Sequence, residues 1–484
     1  MTTDLPSGWA EATLDQVSQI NPPGAATAVP DHELVTFVPM AAVEELSGRM
    51  RTDTLNPFGE VKKGFTRFRD GDVLFAKITP CMENGKIAVA RGLRGGVGCG
   101  STEFHVLRPH EAADAEYLRY FLVRSAYRRD AQRNMQGAVG QQRVPTDYLR
   151  ESVIPLPPKP EQQRIVSRIE ELFSEIDEGE RALERVGQLV ERYRQSVLKA
   201  AVTGELTREW RGAHANDSHG TASSGIATDT LGALPSSWRK LRVDEAGEVQ
   251  LGRQRSPDHH QGEHMRPYLR VANVFEERID TSDVMSMNFT PEEYERFELR
   301  VGDIFLNEGQ SKELVGRPAM YRGELPGGCF TNSLVRFRCR TELLPEFAMC
   351  VFLHFMKSGH FQKIAKITTN IAHLGAGRFA EMAFPLPPLD EQRVIVDRVA
   401  TQARVWRALL DDVSERRRHA SSLRQSILKA AFSGQLVPQD PLDEPASALL
   451  ARLAAQAAEA PAAAQRRGRS AGRRSTRPNP EPVD

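Results

Sequence analysis

Apolar and polar positions follow two periods along this chain, and the two periods appear in the same order twice. Short β-like runs come first: DVLFAKI (72–78) and KIAVA (86–90) in one half, DIFLNE (303–308) and LVRFRC (334–339) in the other, set between Gly and Pro turns. A stretch of helical spacing follows each set, at 115–134 and at 345–364. Each half then reaches a PLPP run, where proline holds the preceding residue extended. A long helical pattern starts behind it, with Glu161 or Glu391 in the first turn, where an acidic group suits the helix dipole. Apolar residues then recur at spacings of four and three. In the first helix they are Ile165, Ile169, Leu172, Ile176, Leu183, Val186, Val190, Tyr193 and Val197, interrupted by Gly179. In the second they are Ile395, Val399, Trp406, Leu409, Val413, Leu423 and Ile427, with Gln402 and Arg416 as polar exceptions. A seam of about five heptads predicts a coiled coil, and about 40 helical residues span roughly 60 Å. Two matched seams in one chain are each other's obvious partner. The competing expectation is two independent amphipathic helices, each packed on its own domain.

The two halves are copies. Glu161 and Glu391 stand 230 positions apart, and the same offset aligns RQSVLKAAVTGEL from Arg194 with RQSILKAAFSGQL from Arg424. It also aligns Cys99 with Cys329, Glu116 with Glu346 and Leu156 with Leu386. LPSGW at Leu5–Trp9 resembles LPSSW at Leu234–Trp238, and Gly71–Phe75 resembles Gly302–Leu306, with the offset drifting by about one. A period this long means a duplicated domain set, not a solenoid. Six segments follow: a mixed domain at 1–155, a long helix at 156–206, a polar linker at 207–233, a second mixed domain at 234–385, a second helix at 386–437, and an Ala-rich then basic disordered tail at 438–484. Gly204 and Gly434 are placed to end the helices. The fold class is α+β: two mixed α/β domains in tandem, separated by two long helices and related by a pseudo-two-fold.

Composition narrows the functions. The chain has 484 residues, 40% apolar and 26% charged, with 64 basic and 64 acidic side chains. Zero net charge argues against a protein that coats nucleic acid without selectivity, so any nucleic-acid contact rests on local patches. No apolar run approaches a membrane span, no signal-peptide layout opens the sequence, and a cytoplasmic location is expected. The five cysteines form no C-x-x-C pair and read as reduced thiols. No phosphate-binding G-x-x-x-x-G-K-[ST] loop is present.

Three patterns mimic catalytic or metal chemistry. Asn21-Pro22-Pro23-Gly24 lacks the aromatic that an adenine methyltransferase stacks on its flipped base. Pro30-Asp31 with Glu60-Val61-Lys62 imitates a magnesium nuclease but has no equivalent in the second half. His259, His260 and His264 have no accompanying ligand set. Neither a catalytic site nor a metal site is expected.

The strings DVLFAKITPCMENGKIAVA, CGSTEFHVLRP, GAVGQQRVP and IPLPPKPEQQRIVSRI resemble type I restriction–modification specificity subunits, as do the duplicated layout and the LKAA-x-x-G-x-L helix ends. The resemblance covers about residues 5–437. It implies two target-recognition domains, each reading one half of a bipartite duplex site. It implies antiparallel helices that set their separation and dock modification subunits, two of them expected. S-adenosylmethionine, ATP and Mg²⁺ would be bound by those modification subunits and by restriction subunits, none by this chain. Asn307-Glu308-Gly309 stands where the first half has Ala76-Lys77-Ile78, and ITPCMENGK has no counterpart, so the second domain departs further from the pattern.

Base edges are read by Arg on guanine, by Asn or Gln on adenine, and by Ser or Thr on either. Candidates in the first half are Lys77, Thr79, Asn84, Lys86, Ser101, Thr102, Gln141, Gln142 and Arg143. In the second they are Asn307, Gln310, Ser311, Lys312, Arg317, Asn332, Thr368, Thr369, Asn370 and His373. Gln141-Gln142-Arg143 stands opposite Ile371-Ala372-His373, so the two half-sites are expected to differ. Arg143→Ala is expected to weaken one half-site by about 1–3 kcal/mol if the guanidinium reads a base. The rival functions are a self-contained methyltransferase or endonuclease, and a coiled-coil scaffold that never touches DNA.

Overall fold

A computed structural model describes residues 5–23, 29–138, 140–214, 231–368 and 371–456. The chain divides into two compact units: residues 1–181 with 416–484, and Ala182–Glu415. The long helices are Lys159–Val202 and Leu389–Ala431. Each unit therefore holds the start of one long helix and the end of the other.

In the first unit, a four-stranded sheet runs in the order Ser18–Ile20, Phe104–Pro109, Val73–Ala76, Ile87–Val89. All four residues of Val73–Ala76 are buried because both faces are covered. Val73 and Phe75 pack with the helices, while Leu74 and Ala76 face the other side, where a second sheet lies (Leu55–Pro57, Leu34–Val38, Val97–Gly100, Thr66–Arg69). The period-2 alternation of a strand thus feeds two cores. The second unit repeats the device: Ile304 and Leu306 face the helical core, and Phe305 the other side. Its main sheet runs Gly247–Leu251, Leu334–Cys339, Ile304–Asn307, Pro318–Met320. A parallel pairing recurs in both units, Phe37 opposite Cys99 and Tyr268 opposite Cys329.

The EQ dipeptide at each helix start is a fastener. Gln162 is fully buried; its amide donates to Ala112 O (2.8 Å) and Pro157 O (2.9 Å) and accepts from Asp114 N (2.8 Å). Gln392 makes the same three bonds, to Glu342 O, Pro387 O and Leu344 N. Glu161 accepts the Trp9 indole (3.1 Å), and Glu391 accepts the Trp238 indole (2.8 Å). Burial pushes the Glu161 carboxyl above its ordinary range, opposed by the Trp9 bond. These glutamates, expected only to favour the helix dipole, join the opening LPS-x-W segment to the first helical turn.

Within each unit the two helix segments run antiparallel. In the first, Arg424 meets Asp177 and Glu180, and Arg164 meets Asp443. In the second, Tyr193 donates to Gln402 (2.7 Å), and Arg398 reaches Leu206 O (2.5 Å).

The seam departs from the heptad reading. Ile165, Ile169 and Ile427 join the first unit's core, and Val190, Val197, Ile395, Val399 and Trp406 join the second's. Val413 is also buried, and Leu172, Ile176 and Leu183 are half-buried. Val186, Tyr193, Leu409 and Leu423 are exposed instead. The cause is a rotation of the helix face. Arg194 and Leu198 turn inward beside Val190 and Val197, which leaves Tyr193 at the edge. Both helix patterns therefore serve domain packing as well as helix pairing.

Gly204 and Gly434 adopt left-handed backbone (φ +78° and +69°) after the last helical turns, as their sequence position requires. Both also lie against a proline: an added Cβ would meet Pro235 or Pro6 within 2.5 Å. The segment expected as a linker begins with helix Arg208–Ala213, and Leu231 at its far end is buried. Most of it, 215–230, lies outside the described residues. Residues 446–456 of the expected tail are helical, with Ala446 and Leu449 in the first unit's core. The basic stretch beyond 456 lies outside the described residues. No helix among the described residues is long and apolar enough to cross a membrane.

Candidate nucleic-acid interface

In the first unit, three segments are stitched together at the end of strand Val73–Ala76. Lys77 donates its N–H to Glu103 O and accepts from Val144 N, both at 2.9 Å. Thr79 N reaches Gln142 O at 3.0 Å, and Gln136 and Arg143 exchange two backbone bonds at 2.9 and 2.8 Å. These bonds gather Lys77, Thr79, Ser101, Thr102, Gln141, Gln142 and Arg143. Thr102 and Gln141 are exposed. Thr79 Oγ1 donates to Glu83 (3.0 Å), and Ser101 Oγ accepts from Glu103 N (3.2 Å).

Arg143 is not a free guanidinium. It makes a bidentate pair with Glu103 at 2.9 and 2.8 Å and donates to Gln141 O at 3.1 Å. The bonded guanidinium holds the Glu103 carboxyl below the usual carboxylate range. Arg143 keeps 43% of its side chain exposed, so its outer edge is still presented, fixed in orientation. Asn84 and Lys86 sit further along the turn, Asn84 bonded to Glu45 (2.8 Å) and Lys86 to Met40 O (3.3 Å). Neither joins the stitched group.

The second unit has the same stitching. Glu308 N donates to Ser333 O (3.0 Å), and Leu374 N to Glu308 O (2.8 Å). Gly309 lies opposite His373 where the first unit has Ile78 opposite Arg143. The acidic partner comes from a different segment: His373 Nδ1 meets Glu308, just after strand Ile304–Asn307, at 2.9 Å, where Arg143 meets Glu103, just before strand Phe104–Pro109. Gln310, Thr368 and His373 share one small sheet, ordered Gly309–Gln310, Ile371–His373, Lys366–Thr368. Ser311 and exposed Lys312 follow on the adjoining turn, and Asn332 lies beside Ser333. Thr369 and Asn370, at the hairpin tip, lie outside the described residues.

Two candidates are corrected. Asn307 is fully buried, with its amide on Val274 O (3.3 Å); it sits in the strand interior because its offset partner Ala76 does too. Arg317 lies with its guanidinium 4.9 Å from the Phe275 ring centre, and burial lowers its pKa; it packs the core edge. Two of the three mimicking patterns have structural partners. Lys62 pairs with Asp31 (2.6 Å), and Asn21 accepts from Val106 N (3.0 Å). No metal-holding group of His, Cys, Asp or Glu occurs among the described residues.

The sequence reading missed the buried arginine–aspartate clamps under both sheets. Arg108 grips Asp72 at 2.8 and 2.7 Å, and Arg338 grips Asp303 at 2.6 and 2.8 Å. The signal was available, since both Asp and both Arg sit at repeat-equivalent positions.

Comparison with known proteins places this geometry. The type I restriction modification DNA specificity domain matches residues 6–185. The specificity subunit of the type I restriction enzyme EcoEI from Escherichia coli is 36% identical over 212 residues, 43% of this chain and 35% of that protein. The match thus spans about a third of that relative's length. The EcoKI specificity subunit from Escherichia coli strain K12 is 26% identical over 374 residues, 75% of each chain. A chain from a solved structure of type I restriction–modification complex assembly and conformational transition superposes with a TM-score of 0.69 at 21% identity, over 90% of this chain and all of the other. That likeness speaks for the fold. The specificity-domain match lies on the first copy and relatives at 26% identity extend along three quarters of the length, so this chain is similar to the type I restriction–modification specificity subunits.

Proposed function

We propose that the chain is the DNA sequence-specificity subunit of a type I restriction–modification complex and binds an asymmetric bipartite duplex site. One observation carries the reading: the two units stitch the same three segments with the same backbone bonds, yet end them in Gln141-Gln142-Arg143 and Ile371-Ala372-His373. A repeated frame with unlike tips is what two different half-sites require. The long helices run as an antiparallel coiled coil that spaces the two readers. Exposed Leu189, Tyr193, Val405 and Leu409 offer apolar surface to two modification subunits. Restriction subunits complete the assembly. The chain itself is non-catalytic and cytoplasmic, and S-adenosylmethionine, ATP and Mg²⁺ belong to its partners.

A genome-wide adenine-methylation map with and without the gene tests this. The expected loss is one motif of two short blocks around a fixed spacer. Methylation or cleavage by the purified chain alone, given S-adenosylmethionine or Mg²⁺, would overturn the proposal. Duplex titrations at several salt concentrations separate it from a scaffold, because phosphate contacts make affinity fall steeply with salt.

A further inference from the structure

The hairpin of Lys366–Thr368 and Ile371–His373 is exposed on both faces, with Ile367 on one and Ile371 on the other. Its register pairs Lys366 with His373 and Thr368 with Ile371, and alternate residues of a strand share a face. Lys366, Thr368, Ile371 and His373 therefore stand on the same side, while Ala372 on the other side is buried in the core. Ile371 is 49% exposed. The neighbouring strand contributes Gly309 to that face. A Cβ there would lie 3.4 Å from the His373 ring and 3.6 Å from Ile371 Cγ2, so the glycine leaves the floor beside Ile371 flat. The segment from His360 to Ala380 contains no carboxylate but carries Lys363, Lys366 and Arg378, in a chain whose acidic and basic side chains are equal in number. Lys363 and Lys366 are exposed. An apolar side chain on a flat two-stranded surface, flanked by Lys366 and by the His373–Glu308 pair, suits the one apolar feature of a duplex groove edge.

We infer that Ile371 is a specificity-determining residue that packs on the C5-methyl group of a thymine in the major groove of the half-site read by the second unit. The inference rests on the reading of the chain as a duplex reader. The major groove admits a two-stranded ribbon, and the thymine methyl is its apolar mark. The flat floor at Gly309 lets the base edge approach, and the lysines face the flanking phosphates. In the first unit Gln141 occupies the place of Ile371, an amide suited to adenine.

The test starts with the full chain and a duplex pool randomised in two blocks. Thymines of the selected duplex are replaced one at a time by deoxyuridine, which lacks only the methyl group. One thymine in one block is expected to lose about three- to fivefold in affinity, the factor for one buried methyl group. Ile371→Ala removes that sensitivity, and Ile371→Val keeps part of it. A 5-methylcytosine at the same position restores part of the affinity lost by a cytosine substitution. Indifference to deoxyuridine at every position, or an Ile371→Ala chain that still discriminates, overturns the assignment and leaves the DNA reading intact. Failure to select any sequence overturns the DNA reading itself.

Discussion

The turn at Glu276–Glu277 in the second unit and its counterpart at Glu45–Leu46 in the first share a backbone and differ in chemistry. Glu277 and Leu46 both hold a left-handed conformation, φ +58° and +60°. In the second unit the turn is bolted to the helices. Arg194 reaches Glu276 (2.7 Å) and Glu277 (2.9 Å), Lys357 reaches Glu276 (2.9 Å) and Glu191 (3.1 Å), and Arg407 reaches Glu277 (3.2 Å). In the first unit the repeat-equivalent arginine, Arg424, turns to Asp177 and Glu180 on the other long helix. The turn stands off, with Arg49 reaching only to 3.7 Å from Asp177, and a cleft of about 570 Å³ opens between Leu46, Arg119, Phe173 and Arg424. Duplication preserved the fold of the turn, while each copy came to fasten it differently.

The largest expected effect tests what the units share. Asp72→Ala and Asp303→Ala each strand a clamped arginine and are expected to cost about 3–5 kcal/mol, alike in both units. Denaturant unfolding read by unit-resolved hydrogen exchange would show it, and unequal costs would break the parallel.

The next effect separates the units by pH. Burial, aided by the charges of His360 and Lys199, lowers the His354 pKa to about 4. The first unit has Arg124 at that place. With the folded value below the ordinary 6.5, the unfolded chain takes up the proton first. Stability is then full above pH 6.5, declines as pH falls toward 4, and levels off below. The loss reaches at most about 3 kcal/mol. Thermal unfolding across that window should be flatter for His354→Gln.

Arg194→Ala comes third, at about 2 kcal/mol, because it leaves the turn's carboxylates against the helix without their central cation. The loss should appear as faster exchange at 274–279, with no matching change at 43–48. Smallest is Leu46→Glu, which places a carboxylate where the second unit has one. A gain of no more than about 1 kcal/mol is expected, and melting curves that decline with salt would identify it as an ion pair.

The 230-residue repeat and the positions of both long helices could be read from the sequence, because apolar periodicity and near-identical strings report them directly, whereas the convergence of three segments in each unit could not. Local pattern could not report partners brought together by folding. Trp9 and Glu161 are far apart in the chain, and nothing near either residue announces the indole-to-carboxylate bond. Asn307 looked like a base reader because an amide in a polar string suggests exposure, whereas the strand around it is covered on both faces. The seam residues were misjudged where an arginine took an inward place: heptad reasoning assigns charge to the outside, and Arg194 is inside because Glu276 and Glu277 await it.

Gln162 and Gln392 spend every bond of their amides on the domain loop and the proline run that precede their helix. Such a joint has no slack. Torque on either mixed domain is passed through these bonds to the first turn of its helix. A domain that twists would therefore turn the helix on which it is mounted.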